Sequence, residues 1–274
     1  MIIRPRRGWS DLRLHEVWRF RELISLFVRR DFVSVYKQTI LGPLWYLIQP
    51  ILTTITFTVV FGKMAGLPTD GLPPFLFYMA GTVAWSYFAS CLTKTSNTFV
   101  QNAGLFGKVY FPRLSVPVSI LLSNLIAFGI HLALLIAFIV YFRIGGWSIK
   151  LNEWIFLTPV LLVMMAGLGL GFGIIISSLT TRYRDLQNLV AFGVQLLMFA
   201  TPVIYPVSSV PERYRFLILA NPMTPIVESF RYAFLGAGTV GIVDLIYSLL
   251  FTMAILLAGL LIFSQVERTF MDTV

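Results

Sequence analysis

The amino-acid sequence predicts an all-α integral membrane protein with six transmembrane helices, an N-terminal amphipathic interface helix and short re-entrant helices at the outer face. Hydrophobic residues make up 57% of the 274 positions, charged residues make up 12%, and the mean hydropathy is +0.82. A water-soluble core of this size has no room for so much apolar side chain. The apolar residues also form runs long enough to cross a bilayer, and prolines interrupt the pattern before the last run. Lipid is therefore the predicted solvent for most of the chain.

Six apolar segments define the predicted transmembrane helices. A spanning helix needs about 20 residues, because the hydrocarbon layer is about 30 Å thick and each helical residue rises about 1.5 Å. Segments of suitable length lie at roughly 41–61, 75–97, 114–142, 154–179, 187–204 and 240–264. Around them we predict three parts: a cytoplasmic N-terminal segment at 1–40, the transmembrane domain at 41–264 and a cytoplasmic C-terminal tail at 265–274.

Basic residues set the predicted orientation. With the N-terminus inside, fifteen Lys and Arg residues fall on the inner side and six on the outer side, so both termini are predicted to be cytoplasmic. Arg4, Arg6 and Arg7 precede further charges rather than an apolar core with a cleavage site, so we expect the N-terminus to be retained. Nine of the 21 basic residues lie in the first 37 positions, which indicates a membrane surface rather than nucleic acid as their partner.

The segment 17–37 has a helical pattern. Phe20, Leu23, Ile24 and Phe27 recur at helical spacing, while the charged residues fall mostly elsewhere. This pattern predicts an amphipathic helix that lies in the inner membrane interface. An ordinary cytoplasmic helix packed on protein has the same periodicity and remains the alternative.

The segment of about 35 residues between the fifth and sixth predicted spans is rich in proline. It contains two short apolar runs, 216–220 and 226–235, and neither is long enough to cross the bilayer. Because irregular backbone at membrane depth must be buried in protein or line water, we predict short re-entrant or interfacial helices at about 206–235. A plain external loop is the alternative.

Glycines occur in two patterns that resemble nucleotide-binding motifs. The stretch 104–109 has the wrong spacing for a phosphate-binding loop and lacks the hydroxyl for magnesium, so we predict no nucleotide site in this chain. Gly167, Gly169, Gly171 and Gly173 alternate inside the fourth span, where a dinucleotide site is one interpretation. The favoured interpretation is two small-residue faces that let neighbouring helices approach closely.

The sequence offers no set of residues for catalysis or metal binding. Cys91 is the single cysteine, and no Cys/His cluster supplies metal ligands. The acidic residues are scattered, with Asp185 alone in the inner loop after the fourth span and Asp70, Glu153, Glu212, Glu228 and Asp244 on the outer side. His131 lies deep in the third span, where it is either functional or a neutral histidine bonded to a neighbouring helix. We predict no catalytic residue, metal or cofactor in this chain.

Two predicted inner loops combine basic and aromatic residues. They join the second span to the third and the fourth span to the fifth. Such loops either dock on a partner protein or carry charge that only fixes the topology. The candidate docking residues are Asn102, Gly107, Lys108, Tyr110, Phe111, Pro112, Arg113, Arg182, Arg184 and Asp185.

Aromatic residues make up 15% of the chain and are frequent in the first two spans. Some are expected to form belts at the membrane interfaces, and others to pack in the core. An inward-facing stripe would instead offer flat apolar faces to sugar rings. The candidates for this stripe in the first two spans are Trp45, Tyr46, Phe57, Phe61, Tyr78, Trp85, Tyr87 and Phe88.

Several motifs resemble those of a known family. The most specific stretch runs from Arg29-Arg30-Asp31-Phe32 through Tyr36 to Trp45 and is followed by Gln49-Pro50 and by 59–62. Phe111-Pro112-Arg113, Arg182-Tyr183-Arg184-Asp185 and Asn221-Pro222-Met223-Thr224-Pro225 with Arg231 also match. On these residues the chain resembles, over nearly its whole length, the membrane subunits of type 2 ATP-binding-cassette exporters of O-antigen, capsule and teichoic-acid polysaccharides.

The resemblance implies a permease of the bacterial inner membrane that exports a lipid-linked polysaccharide. It implies a homodimer with two copies of a separate ATPase, which would hold ATP and magnesium. The interface helix with Arg29, Arg30 and Asp31, together with the two inner loops, would contact the ATPase. The implied outer gate contains Asn221, Pro222, Pro225, Glu228 and Arg231. The stripe of aromatic residues, with Phe199 of the fifth span added, would line the sugar path.

Two other functions remain open from the sequence. The first is an integral membrane enzyme that acts on a lipid-linked sugar, which would need essential carboxylates in a loop. The second is the same exporter fold with a drug or a simple lipid as its cargo.

Overall fold

The protein is helical throughout the part that the computed structural model describes, which comprises residues 14–37, 40–106, 111–180, 186–239 and 241–273. Two helices, α1 (Leu14–Arg19) and α2 (Arg21–Tyr36), come first. The next helices are α3 (Trp45–Phe57), α4 (Pro74–Ser96), α5 (Thr98–Gln101), α6 (Ala103–Phe106) and α7 (Ser115–Ile144). They are followed by α8 (Thr158–Thr180), α9 (Leu186–Phe199), α10 (Glu212–Leu219), α11 (Met223–Leu235) and α12 (Ile242–Thr273).

Short 3-10 and π turns extend some of these helices. A 3-10 turn at Gly42–Leu44 and a π-helical stretch at Thr58–Met64 flank α3. Another 3-10 turn, Glu153–Leu157, leads into α8, and a third at Val207–Ser209 lies between α9 and α10. Pro43 near the start of the first turn supplies a helical φ and lacks the N–H that a helix start leaves unbonded.

Five helical segments in the described part of the chain are long and apolar enough to cross a membrane. They are Gly42–Met64, Pro74–Ser96, Ser115–Ile144, Glu153–Thr180 and Ile242–Gln265. These five coincide with five of the six predicted spans. The remaining predicted span, 187–204, overlaps α9, which is apolar but has only 14 residues. A helix of that length rises about 21 Å, so the span at 187–204, the fifth in chain order, stays a prediction.

The five long segments differ in how far the protein itself buries them. In their most apolar windows, 72% of residues are buried in the segment of α4 and 61% in that of α8, against 6% in the segment of α3. The segments of α7 and α12 are also largely exposed. The centre of the bundle is therefore α4 with α8, and the apolar faces of the other three segments need lipid or another protein surface to cover them.

The glycines of α8 face its two neighbours. A Cβ atom on Gly169 would lie 2.7 Å from the Cβ atom of Cys91, and one on Gly173 would lie 2.6 Å from that of Thr95. Both contacts are with α4, which therefore approaches α8 more closely than any side chain at these positions would allow.

The second pair of glycines faces α12. A Cβ atom on Gly167 would lie 2.8 Å from Cγ2 of Thr252, and one on Gly171 would lie 2.9 Å from the backbone carbonyl of Ile255. Gly259 of α12 is equally close to the backbone of Gly171. The prediction that these glycines form two packing faces is confirmed, and the dinucleotide interpretation is wrong.

The proline-rich segment before α12 folds into two short helices. Pro211 precedes α10 and Pro222 precedes α11, and Gly236 ends α11 in the left-handed conformation with φ of 74°. Helix α10 is largely exposed, whereas nearly every residue of α11 is buried against α4, α8 and α12. The segment is thus helical rather than an irregular loop, and its depth in the membrane stays a prediction.

Candidate functional site

A fully buried ion pair lies on α11. Arg231 is 0% exposed, and its Nη1 donates a hydrogen bond to Oε1 of Glu228 over 2.7 Å. The guanidinium carbon lies 3.9 Å from the centroid of the Phe77 ring on α4, which is a cation–π contact. The two charges are three residues apart on one helix, so both project to the same side of α11.

The ion pair also binds two stretches of backbone outside α11. Nη2 of Arg231 donates to the carbonyl oxygen of Pro202 over 2.6 Å and lies 3.5 Å from that of Val203. Oε2 of Glu228 accepts from the backbone N–H of Thr239 over 3.0 Å. We call Phe77, Gly81, Glu228, Arg231 and Thr239 the Arg231 cluster, and it joins α4, α11, the turn after α9 and the loop before α12.

Gly81 makes the close approach of Arg231 to α4 possible. A Cβ atom at this position would lie 2.8 Å from the carbonyl oxygen of Val203 and 3.2 Å from Nη2 of Arg231. Any side chain would therefore displace either the turn after α9 or the guanidinium. Sequence reasoning did not select Phe77, Gly81 or Thr239, and the i,i+3 spacing of Glu228 and Arg231 was the one signal of their pairing.

The buried positive charge of Arg231 is compensated by the carboxylate of Glu228. Burial lowers the pKa of Arg231 from its ordinary value, and the facing carboxylate of Glu228 opposes this shift. Because a guanidinium does not lose its proton in proteins, the buried charge persists and must be compensated by its partners. Each contact that Arg231 makes therefore helps to stabilise the buried charge.

The remaining predicted gate residues lie at the start of α11. Asn221 lies two residues before α11, where its Oδ1 accepts from the backbone N–H of Met223 over 3.0 Å and its Nδ2 donates to Oγ1 of Thr201 over 2.8 Å. The carbonyl of Pro222 accepts from Oγ of Ser248 over 2.5 Å. Pro225 is buried in the first turn of α11. The five predicted gate residues therefore lie in or directly before α11, and their role as a gate stays a prediction.

A second cluster lies around α2, and it joins two predicted docking elements. The ring of Phe27 on α2 is 5.8 Å from that of Phe111, which in turn is 5.7 Å from that of Phe106. The Phe99 ring stacks on the Phe263 ring of α12 at 5.2 Å. We call this the α2 cluster, and its buried members are Val17, Ile24, Phe27, Phe99, Phe106, Phe111, Leu114, Val116, Ile120, Leu170, Ile174, Leu260 and Phe263.

Charged residues border the α2 cluster. Arg29 and Arg30 are exposed, and Arg30 donates to Oδ1 of Asp31 from Nε over 2.9 Å and from Nη2 over 2.8 Å. Arg113 is 6% exposed, with its guanidinium 5.5 Å from the Phe106 ring centroid. The apolar side of α2 therefore packs on its own chain, and its charged side is open for contact.

Two further docking candidates lie within the described residues. Asn102 donates from Nδ2 to the carbonyl of Thr98 over 3.0 Å, and Pro112 is half-buried beside Phe111. The other predicted contacts, Gly107, Lys108, Tyr110, Arg182, Arg184 and Asp185, lie outside the described residues.

The predicted sugar-path aromatics differ in how far they are buried. Tyr78, Trp85, Tyr87 and Phe88 of α4 are buried in the main core, at 0 to 6% exposure. By contrast, Trp45 is 44% exposed and Phe199 is 48% exposed. Half-buried positions are taken by Tyr46, Phe57 and Phe61. The burial of the α4 rings agrees with the core-packing alternative, and the path itself stays a prediction.

Two other ionisable residues lie outside the Arg231 cluster and the α2 cluster. His131 of α7 is half-buried. Oδ1 of Asp70 accepts from Oγ of Ser208 over 2.7 Å. Within the described ranges no three His, Cys, Asp or Glu residues are grouped in a way that could hold a metal ion.

The long apolar segments, together with the buried Arg231 cluster and the partly exposed α2 surface, define the architecture of a multi-pass membrane protein. Residues 22–235 match the family model described as "ABC-2 type transporter", and the chain belongs to this family. The resemblance stated from the sequence motifs is therefore confirmed.

Individual relatives share most of the chain. An O-antigen export system permease protein RfbA of Klebsiella pneumoniae is 30% identical over 252 residues, which is 92% of this chain and 94% of the relative. A second RfbA, from Myxococcus xanthus, is 28% identical and covers 81% and 83% of the two chains. The polysialic acid transport protein KpsM of Escherichia coli is 24% identical and covers 91% and 95%.

Proposed function

We propose that this chain is the permease subunit of an ATP-driven exporter that moves a lipid-linked polysaccharide, similar to an O-antigen, from the cytoplasm across the bacterial inner membrane. The observation that carries the proposal is the 30% identity to an O-antigen export permease over 92% of this chain. A match of that length includes the spans, the α2 cluster and the Arg231 cluster together, rather than one motif.

The proposed assembly is a homodimer with two copies of a separate ATPase. The sequence has no phosphate-binding loop, so ATP and magnesium would be held by the ATPase. The exposed apolar faces of α3, α7 and α12 leave room for both lipid and a second permease copy. The proposed topology has six spans with both termini in the cytoplasm, and it counts α9 with the following turn as the fifth span.

The α2 cluster is the proposed coupling surface. Phe27 of α2 and Phe111 of the 102–113 loop pack on each other, and the same cluster reaches α8 through Ile174 and α12 through Phe263. A close-packed cluster transmits displacement rather than absorbing it. An ATPase that pushes on the loop or on α2 would therefore move the ends of two long helices. ATP binding would bias the equilibrium between closed and open states through this surface.

The proposed cargo path uses weak and repeated contacts. Among the candidate aromatics, Trp45 and Phe199 have the most exposed rings and are the first choice for sugar contacts. Flat aromatic faces bind sugar rings without strong polar traps, which suits a polymer that must keep moving. Helices α10 and α11 would form the outer gate.

The proposal is tested by purifying the tagged chain with a co-expressed P-loop ATPase and by assaying the pair in proteoliposomes. We expect a stoichiometric complex whose ATP hydrolysis drives uptake of a lipid-linked polysaccharide into inverted vesicles. The matched control is the same complex with the ATPase's phosphate-binding lysine replaced by alanine, which should bind the permease but transport nothing.

Two results would contradict the proposal. If the purified chain modifies a lipid-linked sugar without any ATPase, it is a membrane enzyme. If small hydrophobic compounds stimulate ATP hydrolysis and are transported while the lipid-linked polysaccharide is not, the exporter carries a different cargo.

A further inference from the structure

Helix α9 ends in a compact turn, which we call the outer turn and define as residues 200–203. The last carbonyls of α9 find donors close by in sequence. Oγ1 of Thr201 donates to the carbonyl of Leu197 over 2.7 Å, and the hydroxyl of Tyr205 donates to that of Phe199 over 3.1 Å. The helix end is therefore satisfied locally, and the carbonyls of the outer turn are available to other segments.

Side chains from the segment of α10 and α11 bind those carbonyls. Nδ2 of Asn221 lies 3.3 Å from the carbonyl oxygen of Ala200. Nη2 of Arg231 donates to the carbonyl of Pro202 over 2.6 Å and lies 3.5 Å from that of Val203. A cation is favoured at the C-terminal end of a helix, where the backbone carries partial negative charge. Arg231 supplies that cation to α9 from a helix about 30 residues further along the chain.

The contact between Arg231 and the outer turn is supported by side chains of α11 and α4. Glu228 orients the guanidinium from α11 over 2.7 Å, and the Phe77 ring of α4 covers its face. Because Arg231 is fully buried, separating it from the outer turn would leave a charged donor without water to replace the carbonyls. Moving the outer turn and α11 together keeps these hydrogen bonds, whereas separating them costs free energy.

We propose that α9 and α11 form one rigid unit, with Arg231 as the positioning residue that fixes them at the outer turn. The role of this unit in transport rests on the proposed function, because α9 begins directly after the predicted ATPase contacts at 182–185, which lie outside the described residues. A displacement of the first turn of α9 is then passed along the helix to the outer gate. Asn221 provides a second, weaker attachment to the same turn.

A distance measurement on the full chain tests the rigid unit without any ATPase or cargo. Spin labels would be placed at Leu196→Cys on α9, which is exposed, and at Tyr232→Cys, the least buried position of α11, in a Cys91→Ala background. We expect a narrow distance distribution in this protein and a clearly broader one after Arg231→Met. The matched control is Arg143→Met, an exposed arginine at the end of α7, which should leave the distribution narrow.

An unchanged narrow distribution in the Arg231→Met protein would overturn the proposal, and so would a broad distribution before that substitution. Neither result depends on whether an ATPase associates with the chain. Failure of the rigid unit and failure of the proposed exporter function are therefore distinguishable.

The role in transport is tested with Arg231→Lys in the reconstituted complex. A lysine keeps the charge but lacks the planar fork that serves Glu228 and Pro202 together. We expect polysaccharide exported per ATP hydrolysed to fall by about tenfold or more, while Arg143→Lys leaves this ratio unchanged. Equal losses of export and hydrolysis, with the ratio preserved, would show that Arg231 only supports folding. If Arg231→Lys does not assemble, Asn221→Ala tests the same turn and should lower the ratio to a smaller extent.

Discussion

The replacement of Gly171 by alanine tests the close approach of α8 to α12. In the native protein a Cβ atom on Gly171 would lie 2.8 Å from Cγ2 of Ile255 and 2.9 Å from both the backbone carbon and the backbone oxygen of that residue. Ordinary carbon contacts are about 3.5–4.0 Å. A side chain can turn away from such a contact, but two of these three atoms are backbone. The helices must therefore separate along this face.

The magnitude follows from a comparison with a matched control. Gly129 lies in the middle of α7, and a Cβ atom there meets no atom within 4 Å. Both substitutions gain about 1 kcal/mol of helix propensity, which cancels in the difference between the two variants. Overpacking costs about 1–3 kcal/mol. We expect the Gly171→Ala protein to be less stable than the Gly129→Ala protein by that amount.

Thermal unfolding in one detergent provides the assay. At about 2–4 °C per kcal/mol for a chain of this size class, the midpoint of the Gly171→Ala protein should lie several degrees below that of the control. A midpoint equal to or above that of Gly129→Ala would contradict this prediction, since it would mean that α8 and α12 are not in contact at this glycine.

Three further substitutions probe the α2 cluster and the end of α9. Phe111→Ala removes a buried ring from the contact with Phe27, so it should cost about 3–5 kcal/mol and make α2 more sensitive to limited proteolysis. Asp31→Asn breaks an ion pair with the exposed Arg30, so the unfolding midpoint should shift by the equivalent of at most about 1 kcal/mol. A larger shift would contradict the surface character of this ion pair. Burial raises the pKa of Tyr205 above its ordinary value, so stability that is present below about pH 10 should be lost at higher pH. Tyr205→Phe should lose less stability over that pH range, as followed by alkaline unfolding curves.

The sequence determined the spans because the hydropathy of a run depends on its own residues alone. Five predicted segments agree with long apolar helices to within a few residues at each end. The alternating glycines of α8 were equally informative, since small residues at helical spacing have few other uses inside an apolar helix. Prolines marked the breaks before α10 and α11 because they have no N–H to donate inside a helix.

The sequence was less informative about which face of a helix is buried. The aromatics of α3 and α4 have similar composition, yet Trp45 is 44% exposed while Tyr78 is 0% exposed. The difference arises because α4 is surrounded by α7, α8 and α11, whereas α3 contacts α4 and α7 and remains largely exposed. Periodicity could not separate these cases, because both helices are apolar around most of their circumference.

Local properties of the sequence were enough to predict a helical membrane protein with a proline-rich segment before its last span, and the motifs indicated the family. The packing of the helices was needed to show that Arg231 meets the carbonyl of Pro202, that Gly81 leaves space for this contact, and that Phe27 and Phe111 share one cluster. The physical reason is distance along the chain. Hydropathy and helix breaks are local properties, whereas a buried charge is compensated by whichever distant backbone the packing of helices brings to it.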